Sequence, residues 1–322
     1  MVMFSALSMI MRAGLTKDKQ RRKVRRRMEK VMRKDGKRLR GADPMYTVAA
    51  HIMRRRSDAM NMITIDIPSE PMKKYLNDKR KEGKNISHLA LILSAYVRTM
   101  SQFPELNRFV VNSNIYARNE IAVGMVVLKS GDSGHGTMSK IYFEPDDTVF
   151  DINDKINEYV ELNRREDSNN GTERIINFLL SMPGLLRFGV PFLIWLDKYG
   201  LLPKAVIDMS PFHMSMGISN LASIKTNHIY HHCYDFGTTG VFITMGNSRE
   251  VPKTDKNGEI YLEKCMPLGV TMDERIASGS YFATAFRSFR KYLADPTVLE
   301  EKPEKVIPDP NVKFKKKKTA KR

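Results

Sequence analysis

The stretch Pro267-Leu268-Gly269-Val270-Thr271-Met272-Asp273-Glu274-Arg275-Ile276-Ala277-Ser278-Gly279 decides the reading of this chain. Residues 265–272 read as a strand that runs into a charged triplet. Residues 280–293 then read as a helix, because Phe282, Phe286, Phe289 and Leu293 recur on one helical face. Strand, charged turn and apolar-striped helix follow one another in that order.

Three stretches upstream fit the same reading. Residues 240–246 are an apolar run ending in glycine, and Met216-Gly217-Ile218-Ser219-Asn220-Leu221-Ala222-Ser223 is a second apolar run that breaks into polar residues. Phe103-Pro104-Glu105-Leu106-Asn107-Arg108-Phe109 ends a helix that Ser87 can cap, with Leu89, Ile92, Ala95, Tyr96 and Met100 at helical spacing. Further strands are expected over 62–67, 109–111, 115–116, 121–128 and 138–143, and further helices over 45–55, 72–82 and 149–166. Residues 251–262 form strand-like halves around a turn cluster at 254–258. Strands and helices alternate along the chain, which places it in the α/β (α+β) class.

These four stretches together resemble the catalytic domain of the 2-oxo acid dehydrogenase (dihydrolipoamide) acyltransferases, a family in the chloramphenicol acetyltransferase-like superfamily. The resemblance covers roughly residues 45–300 and implies a two-layer sandwich with a mixed sheet that forms trimers. It implies acyl transfer to or from coenzyme A, with coenzyme A or an acyl-coenzyme A as substrate. In that family a motif histidine takes the proton from the attacking thiol or hydroxyl, and a hydroxyl on the S-N-L strand stabilises the tetrahedral oxyanion.

Carried over by position, Ser219 is the oxyanion donor, next to Asn220. Asp273, Arg275 and Gly279 keep the frame of the motif, but Glu274 stands at the histidine position and Ser278 at the aspartate position. Two roles are open for Glu274. A free glutamate titrates near ~4.3 and a thiol near ~8.5, so it serves as a base only if an apolar site raises it. Otherwise it pairs with a basic group such as Arg275. Ser219 likewise has an ordinary alternative as a strand-end turn residue. A second source of a base is His228-Ile229-Tyr230-His231-His232-Cys233-Tyr234-Asp235, since histidine is poised to accept a proton near neutral pH. His231 and His232 are the candidates here, against a structural role for each. Two functions therefore stand side by side: an acyltransferase with a non-standard base, and an inactive member of the fold that serves as a binding or scaffold module.

The rest of the composition bounds these readings. Two cysteines, Cys233 and Cys265, make no disulfide framework and no zinc spacing, so no metal is expected and a reducing, cytoplasmic setting fits. Thr254-Asp255-Lys256 occupies too little chain for a lipoyl domain, so no lipoyl attachment site is expected. The net charge of +18 suits an anionic coenzyme or an acidic membrane surface. Much of it lies in residues 17–40, expected as a basic helix within an N-terminal extension over 1–44, and in a basic disordered tail over 301–322. These segments lack interleaved aromatics, which argues against nucleic acid as a partner. Met-rich residues 1–15 lack the basic lead of a signal peptide. The apolar stretch 175–202 is broken by Pro183, Arg187, Pro191 and Asp197. It is expected as core helices or the wall of an acyl pocket rather than a membrane span.

Overall fold

A computed structural model of the chain describes residues 33–39, 41–128, 136–164 and 171–309. The expectations for residues 1–32 and 310–322, and for most of the loop at 130–136, lie outside the described residues. Helices α1 (Pro44–Ile52), α2 (Ser69–Lys81), α3 (His88–Gln102), α4 (Val149–Arg164), α5 (Gly171–Leu180), α6 (Leu185–Lys198), α7 (Lys204–Met209) and α8 (Gly279–Ala294) accompany ten strands. These are β1 (Gly36–Arg38), β2 (Met60–Pro68), β3 (Arg108–Val111), β4 (Asn114–Arg118), β5 (Ile121–Leu128), β6 (Gly136–Phe143), β7 (Met216–Asn220), β8 (Val241–Met245), β9 (Arg249–Thr254) and β10 (Ile260–Asp273).

The main sheet runs β2-β10-β8-β7-β5-β6, with β9 added as a hairpin on β10. Strand β7 is parallel to β5 and β8, and the other pairs are antiparallel, so the sheet is mixed as expected. A small second sheet pairs β4 with β1 and β3.

Alternation along the strands divides the main sheet into two faces. Ile65, Ile67, Leu268, Val270, Ile243, Met245, Met216, Ile218 and Val123 are buried in one apolar core with the inward side chains of α2, α3, α4 and α8. The α8 stripe is Phe282, Phe286, Phe289 and Leu293, all buried. Ser87 caps α3 by accepting from Ala90 N at 3.0 Å. The opposite face carries Thr64, Gly269, Thr244, Ser219, Phe242 and Gly217, and irregular chain from 226 to 240 lies across part of it. This division places the candidate site away from the helices.

Three expectations change. Residues 36–38, inside the expected basic helix, form β1 against Tyr116, Ala117 and Arg118. The cause is tertiary: Arg33 is buried on Asp35 and Asp197, which draws the chain to the sheet. The front of the expected tail is packed, since Ile307 N donates to Ser101 O at 2.8 Å and buried Asp309 pairs with Arg108 at 2.7 Å. Apart from buried Asp197 and Leu202, the stretch 175–202 is not core. It contains α5, α6 and their turn, and Ile176, Phe178, Leu180, Met182, Leu186, Phe188, Phe192, Ile194, Trp195 and Leu201 are exposed.

Candidate active site

Strand register sets up the site. Ser219 lies opposite Thr244, Thr244 opposite Gly269, and Gly269 opposite Thr64, so these four residues form one line across four strands. The segment after β7 returns over this line. Ile229 N donates to Thr244 Oγ1 at 3.1 Å, and Thr244 Oγ1 in turn donates to Ile229 O. A Cβ on Gly269 would stand 2.2 Å from Ile229 O, and one on Gly246 would stand 2.3 Å from His228 N. The two glycines therefore allow the loop to lie directly on the sheet.

His228 Nε2 is 3.0 Å from Thr64 Oγ1, which also contacts Tyr230 OH at 2.6 Å. Burial, with Arg249 nearby, holds His228 below the ordinary histidine range. His231 lies over the next row of the face. Its ring stacks on Phe242 at a centroid distance of 3.9 Å and an angle of 11°. The Phe242 ring fills the space above Gly217, where a Cβ would approach it to 2.4 Å. Gly217 is two residues from Ser219 on the same face, so His231 is on the order of 10 Å from Ser219 by strand geometry.

One contact fixes the chemistry of His231. Its Nδ1 is 2.8 Å from His232 O. A carbonyl only accepts, so Nδ1 carries the proton and Nε2 keeps its lone pair. Burial also lowers the pKa of His231, outweighing the raising effect of that carbonyl, and so favours the neutral ring. His232 is exposed beside it, with its ring 5.0 Å from that of His231. Cys233 is buried, and burial pushes its thiol up to about 12, so it is protonated at neutral pH and is no nucleophile.

The turn that resembles the family motif is built differently. Asp273 is fully buried and accepts from Arg275 Nε at 2.7 Å, Arg275 Nη2 at 2.6 Å and Arg275 N at 3.1 Å. Arg56 Nε lies 3.4 Å from the same carboxylate. Burial holds the Arg56 guanidinium below its ordinary range, and Asp273 offsets part of that. Arg275 also donates to Met53 O at 2.9 Å, and Ser278 caps α8 by accepting from Tyr281 N at 3.0 Å. Gly279 opens α8 with open space where a Cβ would stand.

Glu274 is half-buried and accepts from Asn61 Nδ2 at 2.7 Å. Arg275 therefore pairs with Asp273, and the partner of Glu274 is an amide. Within one chain Glu274 and Ser219 are not brought together. The Ser219 line meets β10 at Gly269, five residues before Glu274 and two strands from β7, a separation on the order of 20 Å. Ser219 is half-buried, and the Oδ1 of neighbouring Asn220 is buried with no hydrogen-bond partner among the described residues.

A cluster that sequence reading missed lies at the end of α6. His213 Nδ1 is 2.8 Å from Ser210 Oγ, and its Nε2 is 3.2 Å from Asp197 Oδ1. This is a serine, histidine and acid in line, but His213 is 1% exposed and Asp197 is also held by Arg33 at 2.7 Å. The cluster is a structural anchor, with burial lowering the His213 pKa so that the ring is neutral. The signal for it was Asp197, an acid inside an apolar run. Among the described residues no group of three or more histidine, cysteine or acidic side chains converges as metal ligands.

Comparison with known proteins addresses the fold. Residues 237–300 match the family model described as 2-oxoacid dehydrogenases acyltransferase (catalytic domain). No curated protein matches the sequence. Among solved structures, the chain is similar to a probable dihydrolipoamide acetyltransferase from Listeria monocytogenes, at 14% identity and a TM-score of 0.50, over 76% of this chain and 91% of that one. It is similar to the cubic core of the pyruvate dehydrogenase multienzyme complex, at 11% identity and a TM-score of 0.52, over 79% and 88%. A dihydrolipoamide acetyltransferase from Azotobacter vinelandii, investigated for the catalytic roles of a serine, a histidine and an asparagine, matches at 11% identity and a TM-score of 0.51, again over 79% and 88%. The resemblance to the 2-oxoacid dehydrogenase acyltransferase catalytic domain thus holds in sequence over residues 237–300, and the chain has the mixed-sheet α/β fold of these acyltransferase cores.

Proposed function

We propose that this protein transfers an acyl group between coenzyme A and a thiol or hydroxyl acceptor, with His231 as the general base and Ser219 as the oxyanion donor. The observation that carries this reading is the bond between His231 Nδ1 and His232 O. It leaves the Nε2 lone pair available, and the His231 ring stacks on Phe242 of the sheet face that also carries Ser219. Nε2 takes the proton of the acceptor as its sulfur or oxygen attacks the thioester carbonyl carbon. The negative charge that develops on the carbonyl oxygen meets the Ser219 hydroxyl, a donor placed for the transition state rather than the ground state. Collapse of the tetrahedral intermediate breaks the bond between carbon and the coenzyme sulfur, and the proton on His231 goes to the departing thiolate. Glu274 takes no proton in this scheme, because it is distant from Ser219 in the chain and bonded to Asn61. Assembly as a homotrimer is part of the proposal, and a trimer offers the coenzyme a second wall.

A second reading keeps the fold as a binding or scaffold module. It is favoured by Glu274 at the base position of the family motif, where its carboxylate accepts from an amide. One experiment separates the two. The full chain is incubated with a panel of acyl-coenzyme A thioesters and with dihydrolipoamide or small alcohols as acceptors, and free coenzyme A is quantified by chromatography. Turnover that falls about 10²–10⁴-fold in His231→Ala is the expected result. Calorimetric binding of coenzyme A without turnover of any thioester overturns the enzyme reading in favour of the scaffold.

A further inference from the structure

Helices α5 and α6 pack on each other, and α5 also meets β6 and α7. Each is tied down at one end. Thr172 Oγ1 donates to Met209 O at 3.0 Å at the start of α5, and Asp197 near the end of α6 is held by Arg33 and His213. Between these anchors many large apolar side chains face outward. Phe178 is 61% exposed, Leu180 62%, Phe188 73%, Phe192 57% and Trp195 49%, and the turn at 181–184 is exposed throughout. Leu186, Arg187 and Phe188 are all exposed, although consecutive helical residues point about 100° apart. Exposed apolar side chains therefore lie on more than one side of the hairpin, while Leu185, Leu193 and Leu196 are half-buried. An exposed apolar surface of this extent marks an interaction surface.

Charge selects the partner. The exposed ions over 171–204 are Arg174, Arg187, Lys198 and Lys204, the last paired with Asp208 at 2.8 Å, whereas Glu173 is half-buried and Asp197 is bound to Arg33. Aromatic and aliphatic side chains framed by arginine and lysine suit the boundary between anionic headgroups and acyl chains. A rigid protein surface complements one face, whereas a fluid lipid layer accommodates side chains pointing in several directions. Length decides the depth. Helices of 10 and 14 residues extend about 15 and 21 Å, short of the ~30 Å hydrocarbon core, and no helix among the described residues is long and apolar enough to cross a membrane.

We propose that the α5–α6 hairpin docks the protein on an anionic phospholipid surface, embedding its apolar side chains at the headgroup boundary without spanning the bilayer. Trp195 is the only tryptophan in the chain, so its emission reports on the hairpin directly. The test is flotation of the full chain with vesicles of phosphatidylglycerol and phosphatidylcholine and with vesicles of phosphatidylcholine alone, together with Trp195 emission and its quenching by brominated lipid. The expected result is flotation with the anionic vesicles, a blue shift and quenching. The double variant Phe188→Glu/Phe192→Glu should weaken binding about tenfold or more. Both positions are exposed, so circular dichroism should show an intact fold. Three results overturn the proposal: no flotation with anionic vesicles, flotation through the basic termini that leaves Trp195 emission unchanged, or a lipid-free blue shift that tracks self-association in sedimentation and so assigns the hairpin to a second copy of the chain.

Discussion

The turn at 273–275 and the loop at 228–235 sit on the same sheet and are built in opposite ways. In the turn, Asp273 is fully buried and its carboxylate is shared between Arg275 and Arg56, while the caps and backbone bonds around it are closed. In the loop, backbone contacts to Thr244 seat the chain, and His231 keeps a lone pair free. The turn has the stretch that resembles the family motif, and its charges tie the end of β10 to the chain at 53–56. The loop lies outside that motif, and it holds the histidine proposed as the base. Under the proposed function, fold signature and chemical competence lie in different parts of this chain.

The largest expected effect tests the structural half of that contrast. Asp273→Asn removes the charge that compensates two buried guanidinium groups. Breaking a buried ion pair by removing one partner costs about 3–5 kcal/mol, and urea unfolding should show a loss of that size. A loss under about 1 kcal/mol would mean that the turn is not the strut described here. Next comes His231→Ala, for which turnover should fall about 10²–10⁴-fold with the unfolding midpoint nearly unchanged. Parallel losses of stability and activity in this variant would instead make His231 a packing residue over Phe242.

A pH profile sharpens the same point. Burial lowers the pKa of His231. The reactive form is the neutral ring, which is present above that pKa and lost by protonation below it. The acid limb of kcat/KM should therefore lie below the ordinary histidine value of about 6.5, with a plateau across neutral pH. In His231→Ala the limb should vanish from the residual rate. A limb that persists in the variant assigns it to another group.

The sequence carried much of the fold because strands and the α8 helix are written in local periodicity. Phe282, Phe286, Phe289 and Leu293 define a helix face without help from distant residues. What was not legible depends on partners far along the chain. Nothing near residues 36–38 announces that Tyr116, Ala117 and Arg118 will pair with them. The run 175–202 has the same hydropathy whether it is covered or bare, and only its tertiary neighbours reveal that Phe188 and Trp195 face outward. Within the site, His231 was visible as one of several histidines, but its tautomer follows from the backbone path that brings His232 O within 2.8 Å. The buried set Ser210, His213 and Asp197 was hidden because its acid precedes its histidine by a helix and two turns of irregular chain.

The smallest expected effect is the most discriminating for the motif turn. Glu274→Gln keeps an oxygen that can accept from Asn61 Nδ2, so stability should change by less than about 0.5 kcal/mol. If His231 is the base, kcat/KM in this variant should stay within about twofold of the parent, since Glu274 lies on the order of 20 Å from Ser219 in the same chain. A loss on the order of 100-fold would reverse the comparison. It would mean that Glu274 does proton transfer at a Ser219 belonging to another copy. The test would then be mixed oligomers of Glu274→Gln and Ser219→Ala chains, in which only an interface pairing one intact residue from each chain regains activity.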